Sequence, residues 1–196
     1  MYDSTPFYVN RLKAYGPDDV RCVGWGSDET QARRFDALLA LALPHHTVLD
    51  VGCGRGDLAK CVDYYRYRGI DVCESMIRIA KERYPHHTFA RGDVHGCKRG
   101  DYDWVVASGI FALEHGDWEY ETLRTVRKMY DTCRVGVAVN FLVHHRGEGA
   151  APMMHRTTEN DIDLLLRRLC RKREYLTGYL PNDTTLILHR GRRAHK

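Results

Sequence analysis

The stretch Val48-Leu-Asp-Val-Gly52-Cys-Gly54-Arg-Gly56-Asp-Leu-Ala59 decides the fold. Its apolar run, 48–51, is typical of a buried strand, and it passes through three alternate glycines directly into an amphipathic segment. This order predicts a strand, a tight glycine loop and a helix start, which is the arrangement of a nucleotide-type pocket. Asp57 stands where a dinucleotide-binding loop needs Gly or Ala, and Gly56 comes one residue early, so the pattern disfavours a phosphate.

A ligand that carries a small carboxylate and a cationic centre suits the same loop better. Open backbone amides at the loop and helix start favour a carboxylate, and Asp50 offers an acid to a nearby amine. S-adenosylmethionine has both groups. The loop therefore favours this cofactor over a dinucleotide.

Two motifs together resemble the class I (Rossmann-like) S-adenosylmethionine-dependent methyltransferase family. The stretch 49–56 is similar to the first motif of that family, and Gly69-Ile-Asp71-Val-Cys-Glu-Ser-Met76 is similar to its acidic second motif. Asp71 lies nineteen positions after Gly52, close to the separation of about 20 between a glycine loop and a ribose-binding acid. The alternative is a plain βαβ crossover whose glycines only make a tight turn.

The resemblance implies roles for individual residues. The glycine loop would hold the methionine moiety, Asp71 the ribose hydroxyls, and Asp93 the adenine amino group. An ordinary Asx turn is the alternative for Asp93. The cofactor-binding residues expected on this basis are Trp25, Asp50, Gly52, Cys53, Gly54, Gly56, Asp71, Val72, Met76, Asp93, Val94, Ser108, Gly109 and Ile110.

The predicted fold class is α/β. The family order of elements, from about Ser27 to His189, implies a Rossmann-like, doubly wound, seven-stranded and mostly parallel sheet. It has an antiparallel strand in its C-terminal hairpin and helices on both faces. Beyond the first strand, the pattern predicts strands at 67–71, 87–90, 102–108, 135–142, 175–180 and 184–189, and helices at 27–43, 74–84 and 119–133, with further helices from 58 and from 159.

Length and composition indicate one domain. The chain has 196 residues, of which 43% are hydrophobic and 29% charged, which suits a single globular core. We expect one methyltransferase domain over 1–196: an N-terminal arm or lid at 1–26, a cofactor-binding core at 27–142, a substrate loop at 143–158, and a C-terminal helix and hairpin at 159–196.

Several features indicate a cytoplasmic protein without membrane association. No apolar run approaches the ~20 residues that span a bilayer, and the start Met1-Tyr-Asp-Ser lacks a secretion signal. The seven cysteines are odd in number and lack a Cys-x-x-Cys pair, which favours reduced thiols. Three histidine pairs, 45–46, 86–87 and 144–145, lack metal-ligand spacing, so we predict no metal site. A monomer or a homodimer is expected.

The acceptor pocket is predicted where the fourth and fifth strands end, because pockets in open parallel sheets form there. Residues 1–26 and 143–158 are irregular enough to close over it. The pocket residues expected are Tyr8, Tyr15, Phe111, Asn140, His144 and Met153. His115, His144 and Tyr15 are candidate bases, although a structural role is the better interpretation for each. The sulfonium is already activated, so a catalytic residue is not required and none is assigned.

The predicted function is methyl transfer to an O or N nucleophile of a small metabolite or natural-product intermediate. It proceeds by direct in-line displacement, with S-adenosyl-L-homocysteine as product. A nucleic-acid methyltransferase is one rival, because the net charge is +4 and the sequence pI is about 8.7. However, 107–110 lacks the Asn/Asp-Pro-Pro-Tyr motif and no Pro-Cys nucleophile is present, so nucleic acid is not the expected partner. A non-catalytic binding subunit is the other rival.

Overall fold

The chain folds around one seven-stranded sheet in a computed structural model that describes residues 4–143, 153–155 and 157–191. The strands are β1 Val48–Val51, β2 Tyr67–Asp71, β3 Thr88–Arg91, β4 Tyr102–Ala107, β5 Cys133–Leu142, β6 Arg173–Leu176 and β7 Asp183–His189. The α-helices are α1 Thr5–Tyr15, α2 Asp28–Leu39, α3 Glu74–Arg83, α4 Trp118–Thr132 and α5 Glu159–Leu166. Three short 3₁₀ helices lie at Val20–Val23, Asp57–Cys61 and Val94–Gly96.

The strand order is β3-β2-β1-β4-β5-β7-β6. β1 pairs in parallel with both β2 and β4, so the order reverses beside β1. β7 runs antiparallel to β5 on one side and to β6 on the other. The predicted fold class is confirmed, and the reversal beside β1 is the point at which α/β sheets bind ligands.

Both faces of the sheet are covered because neighbouring strand residues point to opposite sides. On one face Val48 and Val106 pack in a buried cluster with Phe35 and Leu38 of α2. On the other face the cluster contains Leu49 and Val105 together with residues of α4 and α5. Two separate hydrophobic layers therefore hold the central strands in place.

The two predicted helix caps are present. The Ser27 side chain accepts a hydrogen bond from the Thr30 amide, and Thr158 and Asp161 form a reciprocal capping box. The predicted end of α2 at Pro44 is wrong, because the helix stops at Leu39. A polar turn follows, in which the Leu43 amide donates to His46 Nδ1 at 3.0 Å.

The predicted first crossover helix is also wrong in extent. Only the 3₁₀ helix Asp57–Cys61 forms, Val62 is extended with φ −134° and ψ 135°, and Tyr65 is 70% exposed. The Arg66 guanidinium donates to Asp63 Oδ2 at 2.8 Å and closes a turn directly before β2. No α-helix therefore forms in this connection. The apolar residues at 58, 59 and 62 are still buried in the core, whereas Tyr65 is not.

The N-terminal segment is more regular than its sequence indicated. α1 starts with a proline in its first turn, which suits a helix start, and Gly16 follows its last residue. None of its residues is fully buried, so it lacks the strong apolar stripe by which helices are recognised. The N-terminal arm is thus a helix followed by a 3₁₀ turn.

Most of the remaining elements differ from prediction by one or two residues at their ends, β3 being shifted by one. The sixth strand was predicted at 175–180, but β6 ends at Leu176, because the chain turns at Gly178, which has φ 78°. All seven cysteines are free, five of them buried. Within the described ranges no helix has the length and apolar character needed to cross a membrane.

Candidate active site

A cavity opens at the carboxyl ends of β1, β2 and β4. Its lining includes thirteen of the fourteen residues predicted to bind the cofactor. These residues come from five separate parts of the chain. They are Trp25, Asp50, Gly52, Cys53, Gly54, Asp71, Val72, Met76, Asp93, Val94, Ser108, Gly109 and Ile110. The two motifs and the third and fourth strand ends therefore meet at one place.

The glycine loop needs glycine for two reasons. Gly52 has φ 73° and Gly54 has φ 53°, both in the left-handed region that side chains disfavour. A Cβ at Gly52 would overlap Ile110 Cγ2, and one at Gly54 would lie 3.1 Å from Val23 Cγ1. The loop is thus a bare backbone surface that faces the cavity, and any side chain there would fill it.

The loop amides are not open, contrary to the prediction. The amides of Gly52 and Cys53 donate to the Ile70 carbonyl at 2.8 and 3.0 Å, and the Gly54 amide donates to Asp71 Oδ2 at 2.8 Å. These amides hold the loop against β2. The loop therefore contributes its shape to a ligand rather than these three hydrogen-bond donors.

Gly56, predicted in the cofactor site, does not line the cavity. It has φ 83°, and a Cβ there would lie 2.8 Å from Phe89 Cζ on β3. Its function is to turn the chain and to admit close packing. The alternate spacing of the glycines could not distinguish this packing glycine from the two that face the cavity.

Asp71 is fixed at the end of β2. Its Oδ1 accepts the Cys73 amide at 2.8 Å, and its Oδ2 accepts the Gly54 amide. Burial raises the pKa of this carboxyl, and the backbone amides oppose that rise. A carboxylate has about four acceptor positions, so capacity remains for a ligand in the cavity.

Asp50, at the β1 end, has a different environment. It is 4% exposed, and the Tyr67 hydroxyl donates to its Oδ2 at 2.7 Å. Burial raises its pKa to about 7, against the lowering effect of the Tyr67 hydrogen bond. Near neutral pH, the Asp50 carboxyl can therefore be neutral or charged, and a neighbouring group decides which form is favoured.

The charge of Asp57, which was expected to disfavour a phosphate, is neutralised by its neighbours. Its Oδ2 accepts Arg55 Nε at 2.7 Å and Gln31 Nε2 at 3.2 Å, and Arg83 lies 3.4 Å from its other oxygen. The Arg55 guanidinium also donates to the Pro17 carbonyl at 2.9 Å. This buried ion pair neutralises Asp57 and attaches the N-terminal segment to the loop.

Asp93 lies on the cavity wall and also caps a helix. Its Oδ1 accepts the His95 amide at 2.8 Å, at the start of the 3₁₀ helix Val94–Gly96. The Asx-type turn considered as an alternative is therefore present. If Asp93 binds a ligand in the cavity, the acceptor is its other carboxylate oxygen, Oδ2.

The N-terminal segment closes one side of the cavity with Phe7, Tyr8, Val23 and Trp25. The Trp25 ring covers Gly109, where a Cβ would lie 2.7 Å from Trp25 Cζ2. Behind it, the guanidinium of Arg34 lies 4.4 Å from the Trp25 ring centroid.

Arg34 is itself held by a buried ion pair. Its Nε and Nη2 donate to the two Asp183 oxygens at 2.7 and 2.5 Å. Burial raises the pKa of Asp183, and the Arg34 guanidinium opposes that rise. α2, β7 and the Trp25 wall are thereby joined.

Three of the predicted acceptor-pocket residues do not line the cavity. Tyr15 is 39% exposed, with the guanidinium groups of Arg11 and Arg21 at 5.0 and 4.7 Å from its ring. It lies seven residues after Tyr8, about 10 Å further along α1 and past the cavity edge. As a candidate base, Tyr15 is thus misplaced.

Met153 and Asn140 fail for other reasons. Met153 is 52% exposed, whereas its neighbour Met154 pairs with Leu113 in an isolated antiparallel bridge and lines the cavity. Alternation along an extended segment places neighbours on opposite sides. Asn140 is 3% exposed and lies behind Ser108, to which it is hydrogen bonded.

Tyr8 and Phe111, two of the predicted acceptor-pocket residues, line the cavity, and so does His115, a candidate base. His144, predicted both as a pocket residue and as a base, lies outside the described residues, as does most of the predicted substrate loop. Sequence reasoning missed several lining residues. For Glu121 and Thr125 the sequence carried a signal, because they are four residues apart and so share one face of α4. The other lining residues missed are Ser4, Phe7, Val23, Gly24, Gln31, Phe35, Val51, Asp57, Leu58, Gly92, Ala112, Leu113, Leu142 and Met154.

The lining is acidic on one side and apolar on the other. It contains the carboxyl groups of Asp50, Asp71, Asp93 and Glu121, besides the ion-paired Asp57, and no Lys or Arg among its described residues. Within 4–143, 153–155 and 157–191, no group of three or more His, Cys, Asp or Glu is arranged to hold a metal ion. The described wall thus suits a ligand with positive charge.

Comparisons with known proteins agree with this site. Residues 48–136 match the family model described as a methyltransferase domain. Magnesium protoporphyrin IX methyltransferase from Synechocystis PCC 6803 with bound SAH is similar over 96% of both chains, at 16% identity and a TM-score of 0.67. Human N-acetylserotonin methyltransferase in complex with SAM is similar over 96% of this chain and 58% of that chain, at 15% identity and a TM-score of 0.66.

The Synechocystis enzyme with bound SAM matches as well, at 17% identity and a TM-score of 0.64, over 97% of this chain and 99% of that chain. No curated protein matches the sequence at a significant level. The fold is therefore that of the class I methyltransferases. Together with the family-model match over 48–136, these structures confirm the prediction from the two motifs, an S-adenosylmethionine-dependent methyltransferase of class I that acts as an enzyme. The similar structures hold the predicted cofactor or its product.

Proposed function

We propose that this cavity binds S-adenosylmethionine and that the chain moves its methyl group to an O or N atom of a small-molecule acceptor. The observation that carries the proposal is the continuity of the cavity. A bare glycine loop and an acidic edge pass directly into an aromatic wall supplied by α1 and by the segment after β4.

The acidic edge fits the cationic cofactor. Asp50 and Asp71 stand at the ends of adjacent strands, beside the glycine loop, where an amine and a pair of hydroxyls find acceptors. Met76 and Val94 supply the apolar surface that a flat base requires. Without a Cβ at Gly52 and Gly54, the backbone leaves the room that such a ligand needs.

The opposite wall fits a small acceptor with apolar surface. Phe111 is stacked on Phe141, with ring centroids 5.4 Å apart and an interplanar angle of 11°, so its position is fixed by packing. Phe7, Tyr8 and Leu113 extend this wall. An enclosed aromatic surface of this kind binds a compact molecule and excludes water from it.

The chemistry requires mainly alignment. When bound, the cofactor supplies a methyl carbon that bonds to the acceptor atom as its bond to sulfur breaks, and the electron pair stays on sulfur. The residues of this chain hold the two partners, orient them and exclude water. His115 lines the cavity and remains the described candidate for proton removal from the acceptor.

Charge argues against a nucleic-acid acceptor. Affinity for a nucleic-acid backbone comes mainly from Lys and Arg that neutralise its phosphates, and the described cavity lining has carboxyl groups instead. The cytoplasmic location and the monomeric or homodimeric state remain predictions from the sequence.

The test combines binding with product detection. Calorimetry should detect S-adenosylmethionine binding, and incubation with metabolite and RNA pools should give the mass increase of one methyl group on a small molecule. Methylated RNA with unchanged metabolites would contradict the acceptor class. Binding without any methylated product would indicate the non-catalytic subunit, and no binding would reject the cavity assignment.

A further inference from the structure

A chain of hydrogen bonds links the cavity to the C-terminal hairpin. Ser108, directly after β4, lines the cavity, and its hydroxyl donates to Asn140 Oδ1 at 2.8 Å. Asn140 Nδ2 donates to the Tyr179 hydroxyl at 3.1 Å and to Thr185 Oγ1 at 2.6 Å. The pairing of Asn140 with Thr185 in the β5–β7 ladder sets this geometry.

The amide of Asn140 has only one orientation that satisfies its neighbours. The Tyr179 and Thr185 oxygens are themselves 2.8 Å apart, so Asn140, Tyr179 and Thr185 form a triangle of three contacts. Each contact needs one hydrogen. The Asn140 amide nitrogen supplies two of these hydrogens, and the hydroxyl of Tyr179 or Thr185 supplies the third.

The reverse orientation leaves one contact without a hydrogen. With Oδ1 facing the triangle, the two hydroxyls supply only two hydrogens for three oxygen–oxygen contacts. A close pair of oxygen atoms would then repel. The triangle therefore keeps Nδ2 towards the hairpin and Oδ1 towards Ser108.

This orientation decides the polarity of the Ser108 hydroxyl. Its one hydrogen is used on Asn140, so the two lone pairs are what it can offer to the cavity. No described residue donates a hydrogen bond to Ser108 Oγ. The hydroxyl thus behaves as an acceptor towards any ligand at this point.

We propose that Ser108 Oγ accepts a hydrogen bond from an N–H or O–H group bound at the carboxyl end of β4, with Asn140 as its positioning residue. The proposal rests on the proposed function and narrows it. Acceptors that carry a hydrogen on the nucleophilic atom are favoured over those that present only lone pairs. Asn140, predicted to contact the acceptor, acts instead through Ser108.

Two cofactor analogues test the proposal without a known acceptor. S-adenosylhomocysteine has no group in the place of the methyl, whereas sinefungin carries a cationic amine there. A hydrogen bond from a charged amine to Ser108 should make sinefungin bind about tenfold tighter than S-adenosylhomocysteine to the wild type. In Ser108→Ala that ratio should fall to within about twofold of one. The ratio of the two affinities is the readout, because both analogues share every other contact with the cavity.

Tyr179→Phe tests the positioning role. Without the Tyr179 hydroxyl the triangle is gone, so the Asn140 amide is free to turn over and donate to Ser108. The Ser108 hydrogen then faces the cavity, and the sinefungin preference should drop. Tyr175→Phe is the matched control, because Tyr175 in the same hairpin donates to Asp163 at 3.0 Å and has no link to Ser108.

The outcomes distinguish a failure of the proposed function from a failure of the role given to Ser108. Failure of both analogues to bind the wild type would reject the proposed function together with this inference. Binding of S-adenosylhomocysteine with an unchanged sinefungin ratio in Ser108→Ala would reject only the role of Ser108. Equal losses for both analogues in Tyr179→Phe would mean that Tyr179 merely stabilises the fold, which overturns the positioning role.

Discussion

The two sides of the cavity are built in different ways. On the glycine-loop side, backbone conformation and backbone hydrogen bonds fix the surface, as in the contact between Gly54 and Asp71. On the N-terminal side, aromatic side chains form the surface, and contacts such as that of Arg34 with Trp25 hold them. A backbone-built surface depends on a few residue types at fixed spacing, whereas a side-chain-built surface depends on packing between distant segments.

The largest effect is expected where the N-terminal side is supported. Arg34→Met leaves Asp183 buried without its partner, so the free energy of unfolding should fall by about 3–5 kcal/mol. Denaturant unfolding measures this loss. The variant should also release Trp25 from its contact, which its fluorescence would report.

Arg173→Met is the matched control. Arg173 pairs with Asp163 at 2.6 Å, but both side chains are partly exposed, at 26% and 31%. Water screens this pair, so its removal should cost within about 1 kcal/mol. Similar losses in both variants would contradict the view that burial makes the Arg34 pair essential.

On the glycine-loop side, Asp50 should make stability depend on pH. Burial disfavours the charged form and raises the pKa of its carboxyl in the folded chain to about 7, well above the usual range of an aspartate. A raised folded pKa gives stability that is complete below the unfolded pKa and is lost as the pH rises from about 4 to about 7.

Asp50→Asn removes that dependence and keeps an acceptor for the Tyr67 hydroxyl. Between pH 5 and pH 8, the wild type should therefore lose about 2–3 kcal/mol of unfolding free energy relative to the variant. Urea unfolding at several pH values provides the comparison. Parallel pH curves for the two proteins would mean that Asp50 is charged in the folded chain.

A smaller loss of stability is expected at Asp71. Asp71→Ala leaves the amides of Gly54 and Cys73 without their acceptor, so the unfolding free energy should fall by about 1.5–3 kcal/mol. The affinity for S-adenosylmethionine should fall tenfold or more. Asp117→Ala is the control, because Asp117 precedes α4 without a side-chain capping bond. Unchanged cofactor affinity by calorimetry would remove Asp71 from the site.

The sequence predicted the glycine-loop side closely, because positive φ at Gly52 and Gly54 and an acid at the β2 end are local requirements. It did not predict that the loop amides are already bonded to Ile70 and Asp71, since such pairing arises only when strands are in register. Gly56 was misassigned for the same reason: its neighbour Phe89 is distant in sequence.

The N-terminal side was predicted less well. Aromatic residues in 1–26 were expected near the pocket, yet Tyr8 lines the cavity and Tyr15, about two turns further along the same face of α1, does not. The missing crossover helix is a similar case, in which the apolar residues 58, 59 and 62 are buried without the α-helix that their spacing predicted. A local sequence pattern cannot show which residues of a helix reach a distant cavity, or whether a buried apolar segment forms an α-helix.

The smallest effects are expected on the rate of methyl transfer, and they should differ between Tyr8 and Tyr15 of α1. Tyr8→Ala opens the cavity wall and should lower the rate of methyl transfer about tenfold, because water enters. Tyr15→Ala removes a side chain that lies against Arg11 and Arg21 and does not line the cavity, and should change the rate by less than about twofold. The acceptor found in the mass screen serves as substrate. The reverse order of effects would place the acceptor at the outer end of α1.

Hydrogen exchange with and without S-adenosylmethionine tests the central claim most directly, since it reports which backbone segments the ligand covers or stiffens. The account predicts added protection at 50–54, 71–76 and 92–94, with a smaller gain at 4–25. Protection confined to the C-terminal hairpin, or no change at the glycine loop, would contradict the assignment of this cavity to the cofactor.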